Sequence, residues 1–305
     1  MRRIPVSILS GYLGAGKTTI INHVLAEPHG RRLAVLVNDF GPINIDGRLI
    51  GSRNAATIEL TNGCVCCSIG DDMGEALTAL AGWPDPPDHV LVEASGVAEP
   101  ARIARSAGYW PGFELDAVVV AADAETVEAR SRDKFVGTLV RSQLRSADIV
   151  ALTKTDLVEA AARQEVRRWI ACQAPQASCI EAVQGRVPAG VVFGRRDGGG
   201  PVGPVGAGDA LHHHAPHVTA CWRPRGPVDA GMLSELLAGL PDTVHRAKGL
   251  VVERRSGKGL LVQAVGRRCS IASHPGPVDA ALVLISTGSR AELEAVCARL
   301  DRACV

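Results

Sequence analysis

The sequence predicts a doubly wound α/β domain with a mainly parallel sheet, followed by a smaller α+β domain of ferredoxin-like type. Three observations lead there. Short apolar runs without inside/outside alternation recur through the first part of the chain with helical stretches between them, as in a parallel sheet covered on both faces. The composition breaks at residues 196–216, where glycine, proline and histidine replace aliphatic periodicity. Beyond the break, strands and helices follow in the order β-α-β-β-β-α. At roughly 150 residues per domain, a chain of 305 residues fits that division. The boundaries read as 1–195, a linker at 196–216, and 217–305.

Each element has its own warrant. Residues 4–10 form a short apolar run leading into a glycine-rich turn, and 17–26 read as a helix with Ile20, Ile21, Val24 and Leu25 on one side. Residues 33–37, 89–92, 117–122 and 149–152 repeat the buried-strand signature. Helical spacing marks 75–82, 123–131 and 157–172, the last through Val158, Ala162, Val166 and Ile170. In the second half, strands are expected at 217–222, 250–254, 259–265 and 280–285, and helices at 228–240 and 290–302.

Composition excludes several classes of function. Apolar residues make up 46% and charged residues 21%, an ordinary folding mixture. Thirty-three Lys and Arg against 32 Asp and Glu leave a net charge of +1, so no broad positive field exists to collect nucleic acid or anionic lipid. No apolar run approaches the length of a membrane span. Nine cysteines, an odd number without a secretory segment near Met1, point to reduced thiols and a cytoplasmic protein.

The segment Gly11-Tyr12-Leu13-Gly14-Ala15-Gly16-Lys17-Thr18 matches the phosphate-binding loop pattern, with a strand before it and a helix after. Its glycines let backbone N–H groups face phosphates, Lys17 supplies a point charge, and the Thr18 hydroxyl is the expected Mg²⁺ ligand. Thr153-Lys154-Thr155-Asp156 follows another strand. A carboxylate at Asp156 would accept from the N1–H and the amine of guanine, while adenine would leave it unpaired. Lys154 would lay its methylene stem along the base. Between these motifs, Glu93 ends a strand where such enzymes place a second acidic group, and the Gly96 N–H would sense a terminal phosphate. Asn38, Asp39, Phe40, Gly41 and Asp46 form a polar stretch suited to a nucleotide switch. The candidate catalytic residues are Lys17, Glu93 and Asp39.

Three of the nine thiols crowd into Cys64-Val65-Cys66-Cys67. In extended backbone Cys64 and Cys66 point one way and Cys67 the other, so two sulfurs share a face as a soft chelate for Zn²⁺, Cu⁺ or Co²⁺. Packing hydrophobes or a redox pair are the alternatives. Cys172, Cys179, Cys221, Cys269, Cys297 and Cys304 are scattered singly and read as packing or surface residues. His212, His213 and His214 in the linker, with His217 just after it, form a compositional metal signal.

Taken in order, GYLGAGKTT, NDFGPINID, ELTNGCVCC, VEASG and LTKTDL resemble the CobW-type family of P-loop GTPases, which includes nitrile hydratase activators and zinc-regulated metal chaperones. Trp222 to Pro227 and His245 to Gly249 are similar to that family's C-terminal domain. The resemblance implies a GTPase in which Mg²⁺ and GTP organise a transition-metal site at the cysteines, and hydrolysis passes the ion to a client protein. It implies that Gly11, Gly14, Ala15, Gly16, Lys17, Thr18 and Thr19 hold phosphate and Mg²⁺, that Thr153, Lys154 and Asp156 read guanine, and that Cys64, Cys66 and Cys67 ligate metal. Zinc is the expected ion, with Co²⁺ the next candidate. Where many members carry a glutamate after the Phe-Gly of the switch, this chain has Pro42, removing a carboxylate that would complete the metal shell. Other readings compatible with the motifs are cobalt insertion in cobalamin synthesis, a nitrile-hydratase-type activator, a small-molecule kinase and a metal buffer.

Overall fold

The computed structural model describes residues 3–27, 30–37, 55–59, 69–194, 218–276 and 278–304. Asp39, Pro42, the three clustered cysteines and the linker histidines lie outside the described residues. The chain forms two compact units, one of Met1–Pro175 and Glu181–Phe193, the other of Gln176–Ile180 and Gly194–Val305.

The larger sheet has seven strands in the order β3-β2-β4-β1-β5-β6-β7, of which β1 to β6 lie in the first unit. Its strands are β1 (Ile4–Ser10), β2 (Leu33–Val37), β3 (Ala55–Glu59), β4 (His89–Glu93), β5 (Phe113–Asp123), β6 (Ile149–Thr153) and β7 (Ser178–Ala182). All pairings among β1 to β6 are parallel. The helices are α1 (Lys17–Ala26), α2 (Ile69–Ala81), α3 (Pro100–Tyr109), α4 (Val127–Arg132), α5 (Gly137–Arg145), α6 (Ala160–Gln173) and α7 (Ala189–Phe193). The continuous apolar runs explain the burial: every residue of β2, β4 and β6 is buried, as expected for strands covered on both faces.

Two expectations are corrected here. Asp123 does not begin a helix; it is the last residue of β5, and the helix starts at Val127. β5 also begins earlier than expected, at Phe113, and a bulge opposite Val6/Ser7 skips Asp116 in the register. That bulge turns Asp116 into the core, where its Oδ2 lies 3.5 Å from Ser7 Oγ and 3.7 Å from His89 Nε2. Ser7 Oγ is 2.6 Å from the Val192 carbonyl oxygen and 2.9 Å from His89 Nε2. A hydroxyl has one proton, and the carbonyl can only accept. The Ser7 proton therefore goes to Val192, and His89 Nε2–H donates to Ser7. This buried polar group fixes the end of α7 against the sheet.

The second unit is built on an antiparallel sheet in the order β11-β10-β9-β12-β8. Its strands are β8 (Val218–Trp222), β9 (Val244–Val252), β10 (Gly259–Val265), β11 (Arg268–His274) and β12 (Ala281–Ser286), with α8 (Ala230–Ala238) and α9 (Arg290–Leu300). The α+β class agrees with the sequence reading, but the sheet has one more strand. β11 is an edge strand of mixed polarity with no fully buried residue, so it leaves no apolar run to read. β9 starts at Val244 rather than 250, its first four residues being buried although they include His245 and Arg246. Trp222, Leu233, Leu237, Val262, Leu284 and Leu293 are among the side chains of this unit's core. Both helices begin at side-chain caps: Asp229 accepts from Met232 N–H and Ser289 from Glu292 N–H. The Met232 N–H holds the Asp229 carboxyl below the usual carboxylate range. That cap's contribution is present above the ordinary aspartate range and is lost as pH falls through the depressed value.

Among the described residues, no helix is long and apolar enough to cross a membrane.

Candidate functional site

In an open parallel sheet, ligands bind beyond the carboxyl ends of the strands, at the point where strand order reverses. Here β1 is central, and the chain leaves it first toward β2 and later crosses it from β4 to β5. The registers Leu9↔Glu93, Val37↔Glu93 and Asp123↔Thr153 bring the phosphate-loop, Glu93 and Lys154 segments to one edge.

The loop after β1 is shaped by its glycines. Gly11 has φ +134°, and a β-carbon there would be driven into the carbonyl oxygen of Ala121 on β5. Gly14 and Gly16 also have positive φ, at 76° and 89°. Ala15 N–H closes the turn onto Tyr12 O at 3.1 Å, and the Arg130 guanidinium stacks 5.2 Å from the Tyr12 ring centroid. Gly11→Ala is expected to destabilise the protein by about 2 kcal/mol or more, read as a lowered thermal midpoint, while the solvent-open Gly14→Ala costs less.

Lys17 opens α1 and is only 8% exposed, with Nζ donating to Gly11 O at 3.0 Å. Its ammonium is thereby held inside the loop that carries it. Thr18 is half-buried and Thr19 exposed on the same turn. Thr153 Oγ lies 2.8 Å from Ala15 O and 3.2 Å from Ala122 O. Its one proton ties β6 to the phosphate loop, so the Thr153 side chain braces the loop rather than facing a base.

Lys154 adopts the left-handed conformation at φ 55°, and its Nζ donates to Asp123 Oδ2 at 2.7 Å. Asp123 in turn accepts from Glu125 N–H at 2.9 Å. The sequence reading missed Asp123 because it assigned the residue to a helix. As the last residue of β5, level with Thr153, it pins the lysine stem. Thr155–Leu157 form a short 3-10 turn, closed by Leu157 N–H on Lys154 O at 3.0 Å, and Asp156 is exposed on it.

Glu93 is 1% exposed at the end of β4. The turn beyond it is closed by Ala98 N–H on Ser95 O at 2.9 Å. Gly96 packs directly on the phosphate loop: a β-carbon there would sit 2.8 Å from Leu13 N. A second residue absent from the sequence reading is Gln143 on α5, which is buried against this turn. The motif spacing therefore brings together Gly11 to Thr19, Glu93, Gly96 and Thr153 to Asp156. Among the described residues, no group of three or more His, Cys, Asp or Glu side chains is arranged to hold a metal ion.

Comparison with known proteins matches residues 5–181 to the nucleotide-binding domain described as CobW/HypB/UreG, and residues 218–304 to the C-terminal domain of the cobalamin synthesis protein cobW. The chain belongs to the CobW family. The zinc chaperone CobW of Sinorhizobium sp. is 30% identical over 311 residues, covering 87% of this chain and 86% of that protein. The zinc chaperone YjiA of Escherichia coli K12 is 34% identical over 201 residues, covering 63% and 62%. In fold, the CobW-family chain is similar to the crystal structure of Zn(II)-bound YjiA GTPase from E. coli, with a TM-score of 0.50, 22% identity and 99% coverage of both chains.

Proposed function

We propose that this chain is a GTP-hydrolysing metallochaperone that loads a transition metal, zinc first, at Cys64, Cys66 and Cys67 and delivers it to a client protein. The observation that carries the reading is the backbone register Glu59↔Val37↔Glu93. β2 runs into the switch motif that holds Asp39, and β3 runs into the cysteine segment. Both strands end level with Glu93, at the edge that carries the phosphate loop. Strands lie about 4.8 Å apart, so Glu59 and Glu93 are separated by about 10 Å across β2. Cys64 follows Glu59 by five residues, within reach of the same edge. A change in terminal phosphate can thus act on both segments at once. The naming of relatives as zinc chaperones supports the choice of ion.

The remaining roles follow the chemistry of each group. Gly11, Gly14, Ala15 and Gly16 cradle phosphate through backbone N–H groups, and Lys17 neutralises the terminal phosphates. Thr18 and Thr19 lie beside them at the start of α1. The Thr18 hydroxyl and the buried Glu93 carboxylate are hard oxygen donors, a set that suits Mg²⁺ and would hold it directly or through water. When bound, Mg²⁺ neutralises charge on the phosphate oxygens. Lys154 and Asp156 read guanine, with Asp123 holding the Lys154 ammonium and Thr153 tying β6 to the phosphate loop. Zinc is cargo, released when GDP replaces GTP. The two domains and linker divide at 1–195, 196–216 and 217–305.

Incubation with GTP labelled on its terminal phosphate tests the enzymatic half. The label is expected as inorganic phosphate released to water. Transfer to a small-molecule acceptor would assign a kinase instead.

A further inference from the structure

Gln143 lies on α5, whose sequence contains none of the nucleotide motifs, yet it is 1% exposed and reaches the turn after Glu93. Its Nε2 lies 3.0 Å from Gly96 O and 3.0 Å from Ala98 O. Both partners are carbonyls, so the amide nitrogen must face them, and its two N–H groups satisfy one carbonyl each. A buried amide nitrogen whose two protons both go to backbone carbonyls of another segment fixes those peptide planes rather than filling space.

The consequence runs through peptide planarity. The Ser95–Gly96 peptide is held by Ala98 N–H on Ser95 O. The Gly96–Val97 and Ala98–Glu99 peptides are held by Gln143. Together these bonds orient the successive planes of the turn, including the Gly96 N–H, while Gly96 presses on Leu13 N of the phosphate loop. We infer that Gln143 is a positioning residue that sets the Gly96 turn for the terminal phosphate, and so governs the distinction between GTP and GDP without touching nucleotide. The inference rests on the proposed GTPase reading.

Its signature is a split between ligands. GDP reaches the loop but offers no terminal phosphate, so its affinity does not depend on the turn. Gln143→Met keeps length and volume and removes both donors. It is expected to leave the GDP dissociation constant within about twofold, to lower kcat for GTP hydrolysis about tenfold, and to narrow the preference for a non-hydrolysable GTP analogue over GDP by a similar factor. Gln143→Asn, which keeps an amide one carbon short, is the milder second variant and should fall between. Thermal melting without nucleotide checks that each variant folds. Equal losses of GDP and GTP-analogue affinity would make Gln143 merely structural, and unchanged kcat and discrimination would also overturn the inference. A wild-type chain that binds GTP without hydrolysing it would instead fail the function reading, and the inference with it.

Discussion

Lys17→Ala is expected to lower the proposed GTP hydrolysis by about a hundredfold or more, the scale seen when one fixed electrostatic donor is removed from a site where charge develops. Lys17 is buried at the start of α1 with its Nζ on the Gly11 carbonyl, 3.0 Å away. The loop therefore pays little to reorganise when phosphate oxygens take over as the partner. No other lysine or arginine lies in the Gly11–Thr18 segment, so alanine leaves the cradle with neutral backbone donors only. The fold should survive loss of the bond to Gly11 O, since one hydrogen bond is worth about 1 kcal/mol net. Phosphate release at saturating GTP, measured beside the thermal midpoint, separates the two effects. A hydrolysis rate that persists with alanine would remove the phosphate loop from the chemistry.

Asp156→Asn is expected to change which base is accepted. Asp156 sits exposed on the Thr155–Leu157 turn, beside a Lys154 held in place by Asp123. Guanine offers two donors to the carboxylate, each charge-assisted bond being worth about 1.5–3 kcal/mol, so GTP affinity should fall about a hundredfold. Asparagine presents one donor and one acceptor. Xanthine, which carries a carbonyl in place of the guanine amine and keeps its N1–H, matches that pattern. Competition binding among GTP, XTP and ATP should show the preference moving from GTP toward XTP, with ATP weak against both forms. An unchanged preference would assign base recognition elsewhere.

Much of the first domain was legible because a parallel sheet covered on both faces leaves continuous apolar runs, as in β2, β4 and β6. β7 shows alternating burial and β11 has no buried residue, so neither leaves such a run. Lys17, Glu93 and Asp156 stood out because each belongs to a local sequence pattern, and the fold brings their segments to one edge of the sheet. Asp123 and Gln143 belong to no such pattern. They act on segments distant in sequence, Lys154 and the Gly96 turn, through contacts that only the folded sheet and α5 create. Thr153 was legible as a member of the guanine motif, but its bond to Ala15 O is a tertiary contact that the tetrapeptide does not encode.

In the proposed function, nucleotide state and metal binding are coupled through the segments leaving β2 and β3. Competitive titration of Zn²⁺ and Co²⁺ against the apo, GDP and non-hydrolysable GTP-analogue forms measures it directly, with Cys64→Ser and Cys66→Ser as the ligand controls. Metal is expected to bind more tightly in the GTP-analogue form than in the GDP form, with zinc preferred over cobalt and the nucleotide-dependent component lost in both serine variants. Metal affinity that is the same in all three nucleotide states of the wild type would contradict that coupling.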